Sequence, residues 1–201
     1  MPRRSVGPAA WLIDDVAEPA AWAASLRALR LDGVHEIVPA ERTVLVVCER
    51  ALSEAIGGRL DEVAVAPSKA TSAGATVTID TVYDGADLAS VARATGLTVD
   101  EVIDRHVHGV YSVAFCGFSP GFAYMTGLDP VLHLDRRPTP RTRVPAGSVA
   151  IAAGYSCVYP TSSPGGWHLL GRSEVRVFDA RREEPALLRP GMTVSFVEVA
   201  P

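Results

Sequence analysis

The sequence is short of cysteine and of long apolar runs, and neither sign of charge is in large excess. Its three cysteines, Cys48, Cys116 and Cys157, lie far apart, form no C-x-x-C pair and make an odd total, which argues against a disulfide framework or a zinc ribbon. A reducing cytoplasm is the expected setting. No segment approaches the ~20 apolar residues that a spanning helix requires. The opening "MPRRSVGPAAWLIDD" reaches Asp14 and Asp15 before an apolar run long enough for a secretory signal, so no membrane association is expected. A formal net charge of −4 gives no global field that would draw in nucleic acid or an anionic membrane surface. Any anion site must be local. P-loop, G-x-S-x-G and H-E-x-x-H signatures are missing too, as are internal repeats and low-complexity tracts.

What is present is a chain of 201 residues, 48% hydrophobic, enough to bury one large core or two small ones. After a short basic arm, "EPAAWAASLRALRL" sets Trp22, Leu26 and Leu29 at helical spacing, with Gly33 as a stop. "VHEIVP" and "RTVLVVCE" read as strands, "ALSEAIGGRL" as a helix and "ATVTIDTVYD" as a third strand of the same small α+β layer. "APSKATSAGAT" reads as a flexible loop. Residues 84–109 read as a helical hairpin. Asp84 caps a first helix that buries Leu88, Val91 and Ala92 and stops near Gly96. Thr98 and Glu101 form a capping box for the second, with Leu97 and Val102 at the staple positions. From Val110 onward the period becomes two. "VYSVAFC", "SVAIAAG", "CVYP", "WHLLG", "EVRVFD" and "MTVSFVEV" are short strands separated by Pro and Gly, the pattern of a β-barrel or sandwich.

Three stretches carry candidate chemistry. "FCGFSPGFAYMTGLDP" bends at Gly117, Pro120 and Gly121 while spending Phe118, Phe122 and Tyr124 in the bend. From these residues alone the favoured reading is a packed corner; the sharper alternative is the wall of a ligand or partner site. "DRRPTPRTRVPAG" crowds Arg136, Arg137, Arg141 and Arg143 between prolines; guanidinium groups on a stiffened loop suit bidentate binding of phosphate or carboxylate, and also a solvated basic surface. In "YPTSSPGGWHLLG", Trp167 can stack on a planar ligand or plug a barrel, and His168 titrates near neutrality if unperturbed. Cys116 and Cys157 read as small buried residues rather than nucleophiles. His106 and His108 end a helix, where they favour its dipole; a tightly bound metal is not expected.

Taken together and in order, "YDGADLASVARATGLTVDEVIDRH", "FCGFSPGFAYMTGLDP", "PRTRVPAGSVAIAAG", "YPTSSPGGWHLLG" and "LLRPGMTVSF" closely resemble the family containing the 5-oxoprolinase B subunit. That family also carries the names allophanate hydrolase subunit 1 and Kip-type inhibitor of a sporulation histidine kinase. The resemblance covers roughly residues 34–199. It implies an α+β chain with a small N-terminal domain, residues 1–80, followed over 81–201 by a helical hairpin and a cyclophilin-like β-barrel of carboxyltransferase type. It further implies a larger partner, the 5-oxoprolinase C subunit or allophanate hydrolase subunit 2, and a third protein, the 5-oxoprolinase A subunit, with which ATP-dependent opening of 5-oxoproline is carried out. The homologous region of urea carboxylase works on a carboxybiotin-linked transfer instead, so fold does not settle chemistry.

On this reading the catalytic candidate is His168. Arg141 and Arg143 are expected to bind phosphate or carboxylate, and Tyr155, Tyr159 and Trp167 to line the site. Phe118, Pro120 and Gly121 form the corner beside it. ATP is expected as cofactor, held with the larger partner. Two places depart from the family's usual residues. Tyr155, Ser156 and Cys157 stand where Gln-Thr-Gly is usual, and His168 where Gln is; phenol and imidazole offer a different bonding geometry from a carboxamide. The alternative reading is a binding protein that inhibits a sensor histidine kinase; a prolyl isomerase rests on fold analogy alone.

Overall fold

The computed structural model describes residues 2–60 and 76–201, and the chain divides into two compact units, Met1–Ser72 and Ala73–Pro201. The expected loop "APSKATSAGAT" lies, but for its last residue, outside the described residues.

In the first unit, the strands β1 (Arg3–Ser5), β2 (Ala10–Ile13), β3 (Val34–Pro39) and β4 (Val44–Cys48) form an antiparallel sheet in the order β1-β2-β4-β3. The opening arm is therefore part of a sheet, with Arg3 lying 5.5 Å from the Trp11 ring. Helix α1 (Pro19–Ala28) starts on a proline, whose missing N–H costs nothing at the first helical position. Its Trp22, Ala23 and Leu26 bury one stripe against Ile13, Val44, Val46 and Cys48. Leu29 falls just past the last helical turn and stays exposed, and the chain turns at Arg30 with φ +45°. Helix α2 (Ser53–Leu60) adds Ile56 and Leu60 to the same core.

The second unit is a nearly closed barrel. It comprises β5 (Thr76–Thr81), β6 (Tyr111–Cys116), β7 (Ala123–Thr126), β9 (Ser148–Ala152), β10 (Tyr155–Val158), β12 (His168–Arg172) and β13 (Thr193–Glu198), in the order β12-β9-β10-β7-β6-β13-β5. A two-stranded ribbon, β8 (Arg141–Val144) with β11 (Ser163–Gly165), stands outside it. The strand expected to complete the N-terminal layer is β5, and it belongs instead to this sheet, paired parallel to β13 in unbroken register from Thr193–Thr76 to Glu198–Thr81. Alternation marks a strand but not the sheet that receives it, and here the first strand of the unit pairs with its last. "EVRVFD" does not form a strand. It sits in a wide loop that makes one bridge, Phe178 to Ala186, because Pro185 lacks the N–H a ladder needs.

The two edges of the sheet meet. Val82 and Arg172 exchange backbone hydrogen bonds of 2.9 Å each, and the amides of Gly85 and Asp87 donate to the carbonyls of Leu170 (3.0 Å) and Leu169 (3.1 Å). Glycine is required here by close approach. A Cβ at Gly171 would lie 2.3 Å from the Val82 carbonyl oxygen, and one at Gly85 would lie 2.3 Å from that of Leu169.

Inside the barrel lie Ile79, Tyr111, Val113, Met125, Val149, Ile151, Val158, Leu170, Val194 and Phe196. Helices α3 (Leu88–Thr95) and α4 (Val99–Val107) contribute Leu88, Val91, Ala92 and Val102 to this core. Gly96 ends α3 in the left-handed conformation, and Thr98 and Glu101 make the capping box reciprocally. Asp84 does not cap α3. It pairs instead with Arg172 at 2.9 Å, and Asp87 is the residue at the cap position. His106 is fully buried rather than placed for the helix dipole: its Nδ1 meets the Tyr83 hydroxyl at 2.7 Å, its Nε2 meets Ser156 Oγ at 2.9 Å, and its ring lies against Phe196 and Tyr111. Both nitrogens of a neutral ring are thereby satisfied, and burial pushes its pKa down from 6.5 to about 3.

Two outcomes follow from these contacts. Gly171→Ala should lower stability by about 1–3 kcal/mol, the usual cost of forcing atoms into a filled space. Gly58→Ala, in α2 where nothing lies within 4 Å of the added Cβ, should be neutral or stabilising by up to about 1 kcal/mol; equal denaturant midpoints for parent and Gly171→Ala would remove the seam's importance. Because His106 is neutral when folded and takes a proton when unfolded, its contribution is complete above pH 6.5 and declines as pH falls toward 3, by roughly 4–5 kcal/mol in all. The stability difference between parent and His106→Gln should accordingly shrink from pH 7 to pH 4, and a constant difference would contradict the assignment.

Candidate functional site

Alternation gives the barrel a second, outer face. Along β7, Ala123 and Met125 point inward and Tyr124 outward; along β10, Ser156 and Val158 point inward and Tyr155 and Cys157 outward. Ala150 and Ala152 leave room on β9 for rings contributed from elsewhere. Phe122 stands at the centre, edge-to-face with Tyr159 (centroids 5.3 Å) and Trp167 (5.6 Å) and 5.0 Å from Tyr124, which meets Tyr155 edge-to-face at 5.7 Å. Such pairs add about 0.5–1.5 kcal/mol each beyond area burial, so the cluster is stiff. Tyr159 and Trp167 are buried within it, and burial pushes the Tyr159 phenol far above its usual range. They back the surface; they do not line an opening.

At the rim, the bend of residues 117–122 is fastened by three backbone bonds: Gly117 to the Phe122 carbonyl, Ser119 to that of Gly117, and Phe122 to that of Ser119. Gly121, at φ +81°, packs so closely that a Cβ would lie 2.5 Å from that of Phe178. Phe118 also has a left-handed backbone, φ +69°, and its ring is 63% exposed while touching Phe122 edge-to-face at 5.2 Å. Left-handed backbone at a bulky residue is strained. Pro120 is exposed in the same bend.

The two arginines expected to act together part company. Arg141 is bound internally, with Nη2 donating to Asp87 Oδ1 at 2.8 Å and Nη1 2.8 Å from Oδ2. Arg137 Nη1 donates to the same carboxylate at 2.5 Å and the Leu169 amide at 2.8 Å. Burial disfavours the Asp87 anion, but the Arg141 bond, the Leu169 amide and the charges of both arginines more than offset this and hold its carboxyl below the usual range. Arg143 is exposed, donates Nε to Ser162 Oγ at 3.1 Å and has no carboxylate partner among the described residues. His168 is not free either: Nε2 donates to the Asp135 carbonyl at 2.8 Å, tying β12 to the arginine loop.

Tyr155, Tyr159, Trp167 and the Phe118–Pro120–Gly121 bend thus converge on one outer face, with the ribbon carrying Arg141 and Arg143 beside them: Val144 of β8 packs in the cluster. The buried contacts of Asp87, His106 and Ser156 were not read from the sequence. An Asp shortly before a helix reads as a cap, and a lone Ser on a strand gives no sign of the side it faces. Burial pushes the thiols of Cys116 and Cys157 upward, so neither is held as a thiolate. No group of three His, Cys, Asp or Glu suited to a metal occurs among the described residues. A groove of about 680 Å³ lies elsewhere, between α4 and the Gly127–Pro130 corner, and holds none of the residues expected at the site.

The model of the carboxyltransferase domain, subdomain C and D, matches residues 9–188. The 5-oxoprolinase B subunit of Escherichia coli O157:H7 is 38% identical over 181 residues, 88% of this chain and 83% of its own length. The crystal structure of TTHA0988 superposes with a TM-score of 0.81 at 37% identity, over 96% of this chain but only 40% of that one. The urea amidolyase of K. lactis, 17% identical with a TM-score of 0.70 over 98% of this chain and 15% of its own, shares the fold. No helix among the described residues is long and apolar enough to cross a membrane. An extended family match together with a relative of this identity and coverage place the chain: it belongs to the carboxyltransferase domain, subdomain C and D, family, in the branch of the 5-oxoprolinase B subunit and allophanate hydrolase subunit 1.

Proposed function

We propose that this chain is the small subunit of an ATP-dependent hydrolase of amides or lactams, of the 5-oxoprolinase type, and that the outer aromatic face is what it contributes to a working site completed by a larger subunit. The observation that carries the reading is the convergence of Tyr155, Trp167, the Phe118 bend and the arginine ribbon on one rigid face. The described residues there supply binding groups but no activated nucleophile with its base and no metal cage. A surface of that kind needs a second wall.

ATP, bound with the partner, would supply a phosphoryl group to the lactam oxygen with release of ADP, opening the carbonyl carbon to attack by water. The chain's own residues fit a share of such a ligand. Arg143 presents a guanidinium fork that is exposed and free of carboxylates, suited to phosphate or carboxylate oxygens. Arg141 acts at one remove, its fork held by Asp87. His168 donates from Nε2 to the Asp135 carbonyl, and its Nδ1 is buried without a partner among the described residues, so the ring holds the loop rather than offering a free atom to a ligand. The Phe118 ring covers the rim; its backbone strain, of the order of 1–3 kcal/mol, is poorly compensated within the chain while the ring stays exposed. That exposed, stiffly held ring also favours the second reading, in which the same face docks on a sensor kinase without turnover.

The purified chain should show negligible ATP-dependent lactam cleavage, and the complex co-expressed with the larger subunit should show it. In that complex Arg143→Lys keeps charge but loses the fork, and kcat/KM should fall at least about tenfold, with the melting temperature unchanged. Full turnover by the chain alone would overturn the shared site; full activity of Arg143→Lys would make that arginine a solvated surface group; an inactive complex whose chain inhibits kinase autophosphorylation would favour docking.

A further inference from the structure

One buried carboxylate joins three segments that are distant in sequence. Asp87 stands at the cap position of α3, yet its side chain makes no capping bond. It is turned toward residues 50, 54 and 82 positions further along: Arg137, Arg141 and the Leu169 amide. A carboxylate has about four lone-pair sites; these three hydrogen bonds fill most of them, and Arg141 Nη1 adds an ion-pair contact 2.8 Å from Oδ2. The backbone returns the bond, since the Asp87 amide donates to the Leu169 carbonyl at 3.1 Å. The loop is held a second time where the Arg137 amide donates to the Gly166 carbonyl at 2.8 Å, and a third time through His168 and the Asp135 carbonyl. Trp167 lies between the first two anchors. Side-chain exposure is 3% for Asp87, against 32% and 24% for Arg137 and Arg141, so the anion is the interior member and the cations reach toward the surface.

We propose that Asp87 is a positioning residue for the site. It touches no ligand; it sets the direction of the Arg141 fork and the place of the Trp167–His168 strand end relative to the aromatic face. This rests on the reading of that face as the working site. Its carboxylate is needed because two guanidinium groups and a backbone amide converge on it, and an isosteric amide can accept at one oxygen only.

The test joins hydrogen exchange on the chain with kinetics of the complex. In Asp87→Asn, exchange of the Leu169 amide and of residues 135–143 should quicken at least tenfold, while β9 in the barrel core stays protected. In the complex, Asp87→Asn and Arg141→Lys should each lower kcat/KM, and the double variant should lose no more than the worse single one, because both act through one fork. A role in stability alone would leave kcat/KM of the assembled complex at the parental value in both single variants. Unchanged exchange at 135–143 overturns the positioning role whatever the kinetics. Quickened exchange with parental kcat/KM in both single variants shows instead that the loop lies away from the chemistry, which overturns the role at the site together with the reading beneath it. If Asp87→Asn does not fold, Arg137→Gln, which leaves the Asp87–Arg141 pair in place, carries the same comparison: exchange at 135–143 quickens if the carboxylate must hold both arms, and parental exchange counts against the proposal.

Discussion

The second unit depends on the closure of its sheet between Val82 and Arg172. An open seven-stranded sheet would leave two edges, each a row of unpaired N–H and C=O groups. Four backbone bonds along residues 82–87 remove much of that liability, each contributing about 0.5–1.5 kcal/mol net but sparing a larger desolvation penalty. The closure is sterically narrow. It requires glycine on both sides, at Gly85 and Gly171, because backbone atoms occupy the place of a side chain. The position of β12 follows from it, and with β12 go Leu170 inside the barrel, Leu169 and Trp167 outside it, and the amide that Asp87 holds.

Two ionisable groups are buried near this closure, and the chain handles them oppositely. Asp87 remains charged. Removing a carboxylate from water costs several kcal/mol after relaxation, and the cost is met by charge-assisted bonds from two arginines that are themselves partly solvated. His106 is kept neutral, because only hydroxyl groups face its two nitrogens: Tyr83 and Ser156. A nearby carboxylate would have raised its pKa instead. Ser156 supplies the hydroxyl that His106 Nε2 meets at 2.9 Å.

Local signals in the sequence were legible where the physics is local. The Thr98–Glu101 box, the Gly96 stop and the alternation of β6, β9 and β13 depend on neighbours within a few residues. Partners distant in sequence were not legible. The pattern of Thr76–Thr81 is the same whichever sheet receives it, and Asp84 and Asp87 are equally plausible caps until the tertiary fold brings one to Arg172 and the other to Arg137 and Arg141. The short strands β1 and β2 were hidden by two prolines and a glycine in the first ten residues. The aromatic face was legible only as fragments of a family pattern, and its arginines looked equivalent because sequence does not reveal that one fork is already occupied.

Period two also separates what holds the barrel together from what it presents. On β10 the inward residues are Ser156 and Val158, which complete the His106 contacts and the core, while Tyr155 and Cys157 face outward. Of the outer row only Tyr155 is partly exposed, so a substitution there changes the surface offered to a ligand or partner, whereas Cys157 is fully buried under the aromatic cluster and a change there disturbs packing. The strand can therefore change the chemistry it exposes at Tyr155 while Ser156 and Val158 keep the inner contacts fixed.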